Sequence, residues 1–363
     1  MGLDAATYEA IDLHATGTDA IARAFENQVV YCRDNGSPAT ALVCQAVGEL
    51  LDGERGGVTM QRIRRWAGPP LADALPLRIA GALHALYLSG DEPDLAPIYE
   101  GLAPTDAADR IAAALERHDH ALLPWLDGPP QTNEAGRSAS FAAALLWLAD
   151  GRTTAQFEWL EIGASAGINT MLGRYHYDLG GVTSGPGASR MRIAPEWRGP
   201  PPPQGDIGFV DARGCDIAPV DLTDEAQAMR LKSYVWPEAT GRMARIDTAI
   251  DLARRMPPEI ERMDAGDWAR QELAKPQGEG VTRVVAHSIM WQYVPDTTQR
   301  QIEDTLQAAG EAATHDRPLA HLSLETNRET FAHELKVRYW PEGAEAVHLA
   351  NAHPHGAWVE WLA

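Results

Sequence analysis

A chain of 363 residues, 45% hydrophobic and 23% charged, can bury a sizeable core and is too long for one minimal domain. Its formal net charge of −20 opposes a phosphate backbone, and its densest basic cluster, Arg62, Arg64 and Arg65, is short, so no nucleic acid is an expected partner; with no run of apolar residues long enough to span a bilayer, no membrane is expected either. The acidic N-terminus does not read as a signal peptide, and the isolated Cys32, Cys44 and Cys215 fit a reducing cytoplasmic setting rather than a disulfide framework.

Residues 6 to about 150 read as successive helices. Ala20–Tyr31 sets Ile21, Ala24, Phe25, Gln28 and Val29 on one helical stripe, stopped by Asn35-Gly36-Ser37-Pro38. Helical patterns continue over 40–51, 71–88, 106–126, with Thr105 as N-cap, and 134–149, each closed by a glycine turn. The pattern changes at Phe157. Phe157–Ile162 is a strand rich in aromatic and branched residues, followed by Gly163-Ala164-Ser165-Ala166-Gly167 and a helix from Ile168. Residues 180–208 are rich in glycine and proline and read as an excursion with a hairpin near 190–197. Helices return at 223–234, 240–255 and 299–309, and strands at 281–287 and 319–324. Three further strands, 336–340, 346–352 and 358–362, form a closing antiparallel meander. Alternating strands and helices imply an α/β fold with a doubly wound, mostly parallel sheet and antiparallel last strands. We therefore expect an all-helical N-terminal cap over residues 1–130 and an α/β domain over 131–363.

The glycine turn after the first strand carries the chemistry. Small residues let a ligand approach the backbone, and such a turn lies at the carboxyl ends of the strands, where doubly wound sheets bind ligands. The run Glu161-x-Gly163-x-Ser165-x-Gly167 resembles the first motif of class I S-adenosylmethionine-dependent methyltransferases, with Ser165 in place of the usual middle glycine. That resemblance implies a Rossmann-like sheet and S-adenosylmethionine as cofactor. It implies Glu161 at the amino group of the methionine moiety and Gly163, Ala164, Ser165 and Gly167 as cofactor-binding residues of the turn. Downstream, Gly214–Pro219 is similar to the second-strand signature, implying Asp216 at the ribose; Met263–Trp268 is similar to the third-strand turn, implying Asp267 and Trp268 at the adenine. Val284–Val294 resembles the fourth strand and its following helix, which implies that Ser288 faces substrate and that His287 or Tyr293 serves as an optional general base. The whole chain also resembles a bacterial family of unknown function, methyltransferase-like in its second half. That likeness rests on Gln131–Arg137, Glu161–Asn169, Tyr234–Pro237 and His353–Gly356.

The same turn also matches the G-x-S-x-G elbow of α/β-hydrolases, with Ser165 as nucleophile and Asp296 and His353 coming after it in the required order. Against it, Glu161 sits where a hydrolase carries an apolar residue, and no His-Gly-Gly segment precedes the turn. A non-catalytic binder of adenosyl ligands is the third reading. Before the first strand, Thr132, Asn133, Glu134 and Arg137 are substrate-side candidates, although capping and a surface ion pair explain the same residues. No metal site is expected: His118 and His120 point to different helix faces, His353-x-His355 lacks a third ligand, and His84 reads as a satisfied core histidine. Trp236-Pro237 and Trp291-x-Tyr293 read as core before cavity lining. The expected partner is a small-molecule substrate, and the oligomeric state is open.

Overall fold

The computed structural model describes residues 12–363 and divides them into two compact units. The first comprises the chain up to Thr132 together with Glu225–Met243, and the second comprises Asn133–Asp224 and Ala244–Ala363. Segment 225–243, expected within the α/β domain, thus packs with the N-terminal helices.

In the helical unit, α1 (Thr18–Asp34) buries Ile21, Ala24, Phe25, Gln28, Val29 and Cys32, the stripe its periodicity requires. The next helices are α2 (Pro38–Glu49), α3 (Gly57–Arg64), α4 (Leu75–Ser89) and α5 (Ala107–Arg117). Several depend on partners distant in sequence. Glu238 accepts from the Ala39 amide (2.7 Å) and the Ser37 hydroxyl (2.8 Å), and so caps α2 from 199 residues away. Asp119 accepts from the amides of Val58 and Thr59, both at 2.7 Å, and caps α3 in the same way. Arg64 donates to the carbonyls of Leu50 and Leu51 and satisfies the C-terminal end of α2. Two members of the basic cluster thus have structural partners: Arg64 at the end of α2, and Arg62 in a solvent-exposed pair with Asp127. Segment 225–243 is locked in by Tyr234, whose ring lies so close to Gly81 that a Cβ there would come within 2.4 Å of it. His84 is buried, with Nδ1 against the Ser233 carbonyl at 2.8 Å, and burial pulls its pKa down to about 4. It is a satisfied core histidine.

The α/β unit is built on a nine-stranded sheet. Its strands are β1 (Gln156–Ile162), β5 (Glu196–Arg198), β6 (Gly208–Asp216), β7 (Glu259–Arg262), β8 (Thr282–Ser288), β9 (Leu319–Thr326), β10 (His333–Trp340), β11 (Gly343–Ala352) and β12 (Trp358–Trp361). The order is β5-β12-β11-β10-β9-β8-β1-β6-β7. Strands β7-β6-β1-β8-β9 are mutually parallel, and β9-β10-β11-β12 are antiparallel neighbours. The fold is a mixed α/β sheet, mostly parallel, and winding reverses between β1 and β8. Its two faces are covered differently. Helix α6 (Ser138–Ala149) lies against Trp159 through Phe141, their ring centroids 5.2 Å apart. On the other face, Leu160, Ile162, Cys215, Val285 and Leu319 share a core with residues of α9 (Ala265–Leu273) and α10 (Asp296–Glu311). Between these come α7 (Glu225–Ser233) in the helical unit and α8 (Thr240–Arg255), which crosses the unit boundary.

The helix expected over 106–126 breaks at His118 into α5 and two short turns, with Asp106 and not Thr105 at its N-cap position. In the α/β unit two local expectations fail. The glycine turn leads into a six-residue 3-10 segment, Asn169–Arg174, rather than an α-helix, and the chain then enters a small sheet of β2 (His176–Leu179), β3 (Val182–Ser184) and β4 (Arg192–Ile193). The expected hairpin near 190–197 is also absent: β4 joins β2 in this small sheet, while β5 pairs in parallel with β12 at the far edge of the large one. Gly199 permits that placement, since a Cβ there would meet the Trp361 carbonyl at 2.3 Å. Among the described residues no helix is long and apolar enough to cross a membrane.

Replacing Asp119 with Ala should cost about 1–2 kcal/mol, the scale of a lost helix cap. Hydrogen exchange should find the first-turn amides of α3, Val58 and Thr59, less protected; unchanged protection there would refute the cap.

Candidate functional site

In the parallel part of the sheet, ligands are expected at the carboxyl ends of the strands where winding reverses, here the ends of β1 and β8. Gly163 and Gly167 both take positive φ, +67° and +70°. Both are also crowded: a Cβ would meet Met290 at 2.7 Å in the first case and Ile260 at 2.8 Å in the second. Only glycine meets both demands. Ser165 also has φ +53°, an uncommon conformation for a residue bearing a side chain.

Asp216 and Asn133 hold the turn open. The Asp216 carboxylate accepts from the amides of Ser165 and Ala218, each at 2.8 Å, and Asn133 Oδ1 accepts from the Ile168 amide at 2.8 Å. Ala164 is buried, with its amide on the Cys215 carbonyl. Around this frame three buried polar atoms have no hydrogen-bond partner: Glu161 Oε2, Ser165 Oγ and Asn169 Oδ1. Glu161 is 1% exposed and accepts a long hydrogen bond, 3.4 Å, from Asn169 Nδ2. Burial pushes its carboxyl up to about 8, against the lesser opposing pull of Asn169, the Trp159 indole and the Arg137 guanidinium. Buried polar groups are normally satisfied, so three partnerless acceptors at one turn make it the candidate ligand site.

The surrounding wall comes from distant segments. A short 3-10 turn, Ala135–Arg137, precedes α6, and the loop between β11 and β12 lies against it. A Cβ on Gly136 would meet the His355 carbonyl at 2.9 Å. The guanidinium of Arg137, a buried residue, donates to the Pro354 carbonyl at 2.8 Å and reaches Ser288 at 3.4–3.5 Å. Glu134, also buried, accepts from the Gly136 amide and from Arg245 Nε at 2.7 Å; Arg245 Nη2 also reaches the His355 carbonyl. Asn133, Glu134, Arg137, Glu161, Gly163, Ala164, Ser165, Gly167, Asp216 and Ser288 are thus brought together, and sequence reasoning missed Asn169 and Arg245 beside them.

The remaining expected residues lie elsewhere. Thr132 is exposed and belongs to the helical unit. Asp267 is exposed on the first turn of α9, while Trp268, 1% exposed, is sealed in the core with its indole N–H on Glu261. Trp268 therefore offers no ring face to an adenine. Tyr293 is 77% exposed and makes no base at the turn. His287 is corrected by strand geometry. Glu161 stands in register with Ala286 of β8, so His287, one residue on, projects from the opposite face. There its Nδ1 pairs with Glu325 at 2.7 Å and its Nε2 meets His321 Nε2 at 3.1 Å, which leaves no ring nitrogen for a substrate proton. Burial holds His321 well below the usual histidine range, and His287 and Arg338 add to the effect. Among the described residues no cluster of three or more metal-ligating side chains occurs.

Glu161 makes stability pH-dependent with a defined sign. Between about 4.5 and 8 the unfolded chain ionises this carboxyl while the folded chain keeps its proton, so its contribution to stability falls as pH rises through that window. Glu161→Gln should abolish the loss, up to about 1.4 kcal/mol per pH unit. Denaturant titrations of both proteins at the two ends of the window check this; parallel pH profiles would contradict it.

No curated protein and no solved structure matches this chain. Residues 22–361, nearly its full length, match the family described as "Uncharacterized protein conserved in bacteria (DUF2332)", and the chain belongs to that family.

Proposed function

We propose that the α/β unit binds S-adenosylmethionine at the Gly163–Gly167 turn and acts as a methyltransferase on a small molecule. The observation that carries this reading is the trio of partnerless acceptors, Glu161 Oε2, Ser165 Oγ and Asn169 Oδ1, at the point where winding reverses. A primary ammonium carries three N–H donors, and the methionine end of the cofactor presents one. The strand sequence β7-β6-β1-β8-β9 also has the 3-2-1-4-5 order of doubly wound nucleotide-binding sheets. When bound, the cofactor supplies an electrophilic methyl group on a sulfonium. The residues of this chain do the rest: Glu161 takes the ammonium, Asp216 keeps the turn in shape and leaves lone pairs for the ribose, and Arg137 and Ser288 line the acceptor side. Transfer of this kind needs alignment and water exclusion more than a base. The net charge of −20 supports a small-molecule acceptor over a nucleic acid.

One observation favours the serine-hydrolase alternative. The positive φ of Ser165 is the strained backbone of a nucleophile elbow. Yet Ser165 Oγ has no hydrogen-bond partner, so neither His353 nor any other described histidine is seated to take its proton.

Calorimetric titration with S-adenosylmethionine and S-adenosylhomocysteine tests both readings. We expect micromolar binding, about −8 kcal/mol, lost in Glu161→Ala and modestly weakened in Ser165→Ala. The free carboxyl titrates at about 8, so binding at neutral pH should also release a proton, seen as heat that varies with the buffer. A folded sample that binds neither ligand refutes the cofactor reading, and labelling of Ser165 by a fluorophosphonate would then favour the hydrolase. Binding without turnover on any acceptor would leave a non-catalytic adenosyl-ligand binder.

A further inference from the structure

The sheet face opposite Glu161 carries a second polar cluster in an otherwise apolar core. His287 and His321 are 2% and 7% exposed, and Glu325, at the end of β9, completes a line of three groups. Burying such groups is costly, so a cluster of this kind is a place to look for function. Above it, at the carboxyl ends of β8 and β9, lies a cavity of about 220 Å3 lined by Trp291, Gln292, Asp296, Gln299, Glu325, Thr326 and Arg328.

The polar chemistry of this cavity is specific. Glu325 Oε1 accepts from His287 Nδ1 at 2.7 Å and from the Met290 amide at 3.2 Å, and Oε2 accepts from the Trp291 amide at 3.3 Å. A carboxylate offers about four lone-pair sites, and three are filled, which leaves one on Oε2. Asp296 adds a second carboxylate at the cavity. Arg328 supplies the opposite charge and, among the described residues, pairs with none of them. The wall between is fixed: the Trp291 ring stacks on His287 with centroids 4.8 Å apart, and Gln299 Nε2 donates to the carbonyls of Trp291 and Val294.

We propose that this cavity is a second ligand site that takes a small zwitterion, its ammonium at Glu325 and Asp296 and its acid group at Arg328. A cation alone would leave the guanidinium without a partner, and an anion alone would face two carboxylates. The site is distinct from the glycine turn but mechanically joined to it. The side chain of Met290 packs against Gly163, as the 2.7 Å approach of a Cβ there shows, and the amide of the same residue is bound to Glu325.

The test is calorimetric titration of the full chain with the protein amino acids one at a time, with methylammonium and acetate as half-ligands. At least one amino acid should bind measurably, and both half-ligands should bind at least about tenfold more weakly, the scale of one charge-assisted hydrogen bond. Glu325→Gln should weaken binding by a similar factor. Because Glu325 also braces His287 and two amides, Arg328→Met provides the independent arm: it alters one exposed side chain and should weaken binding about tenfold with an unchanged melting temperature. Glu161→Ala should leave this binding intact. Any of three results overturns the proposal: no amino acid binds the wild type, methylammonium matches the best amino acid, or binding survives Arg328→Met and disappears in Glu161→Ala. The last would place the amino acid at the glycine turn, and it leaves the cofactor reading untouched.

Discussion

Glu161 stands one residue before the end of β1 with its carboxyl out of water and one oxygen without a partner, and a group in that position favours its neutral form until something donates to it. The rest of the site is arranged around that constraint. Asp216 and Asn133 fix the turn by accepting its amides, so the frame is satisfied while the groups it presents are not. Arg137 lies close enough to favour the ionised form of Glu161, but it donates to Pro354 and Ser288. The result is a turn that is rigid in its backbone and unsatisfied in its side chains, which is what a preformed ligand site requires.

The sheet then sorts the chemistry by face. A strand turns successive side chains to opposite sides, so Ser288 stands with Glu161 while His287 stands with Glu325 and His321. Two polar clusters therefore occupy the same carboxyl edge without sharing a single side chain. The segment Ile289–Trp291 runs between them, and its one unusual backbone feature, Ile289 at φ +51°, falls where the chain leaves β8. Positive φ in a β-branched residue is rare and persists only when its surroundings over-determine it. Here the Ile289 amide is held by the Leu324 carbonyl, and the next two amides by Glu325.

The helical unit is organised differently, by carboxylates and guanidinium groups that complete helix ends from far along the chain. Glu238 serves α2, Asp119 serves α3, and Arg64 serves the end of α2. The two carboxylates replace N-terminal caps that these helices lack, since neither Ser37 nor Gly56 makes a side-chain capping bond to its own first turn. This explains why segment 225–243 belongs with residues more than a hundred positions away.

The sequence alone determined the elements whose signal is local: the stripe of α1, the β1 strand and its glycine turn, the buried run of β8, and the closing meander, each set by hydrophobic period and turn residues. It also singled out Glu161, Ser165, Asp216 and the 133–137 segment, because small residues beside an acid at a strand end have a chemical reason to be there. Only the tertiary structure decided the rest. Strand alternation placed His287 on the far face, and that depends on register, which one-dimensional spacing does not fix. Core packing took Trp268 from the ligand, and pairing with β12 drew β5 out of a hairpin that its own sequence permits. Arg245 and the pairing of Glu325 and His321 with His287 were invisible for the same reason: their partners are brought together by folding, across separations that no local pattern records.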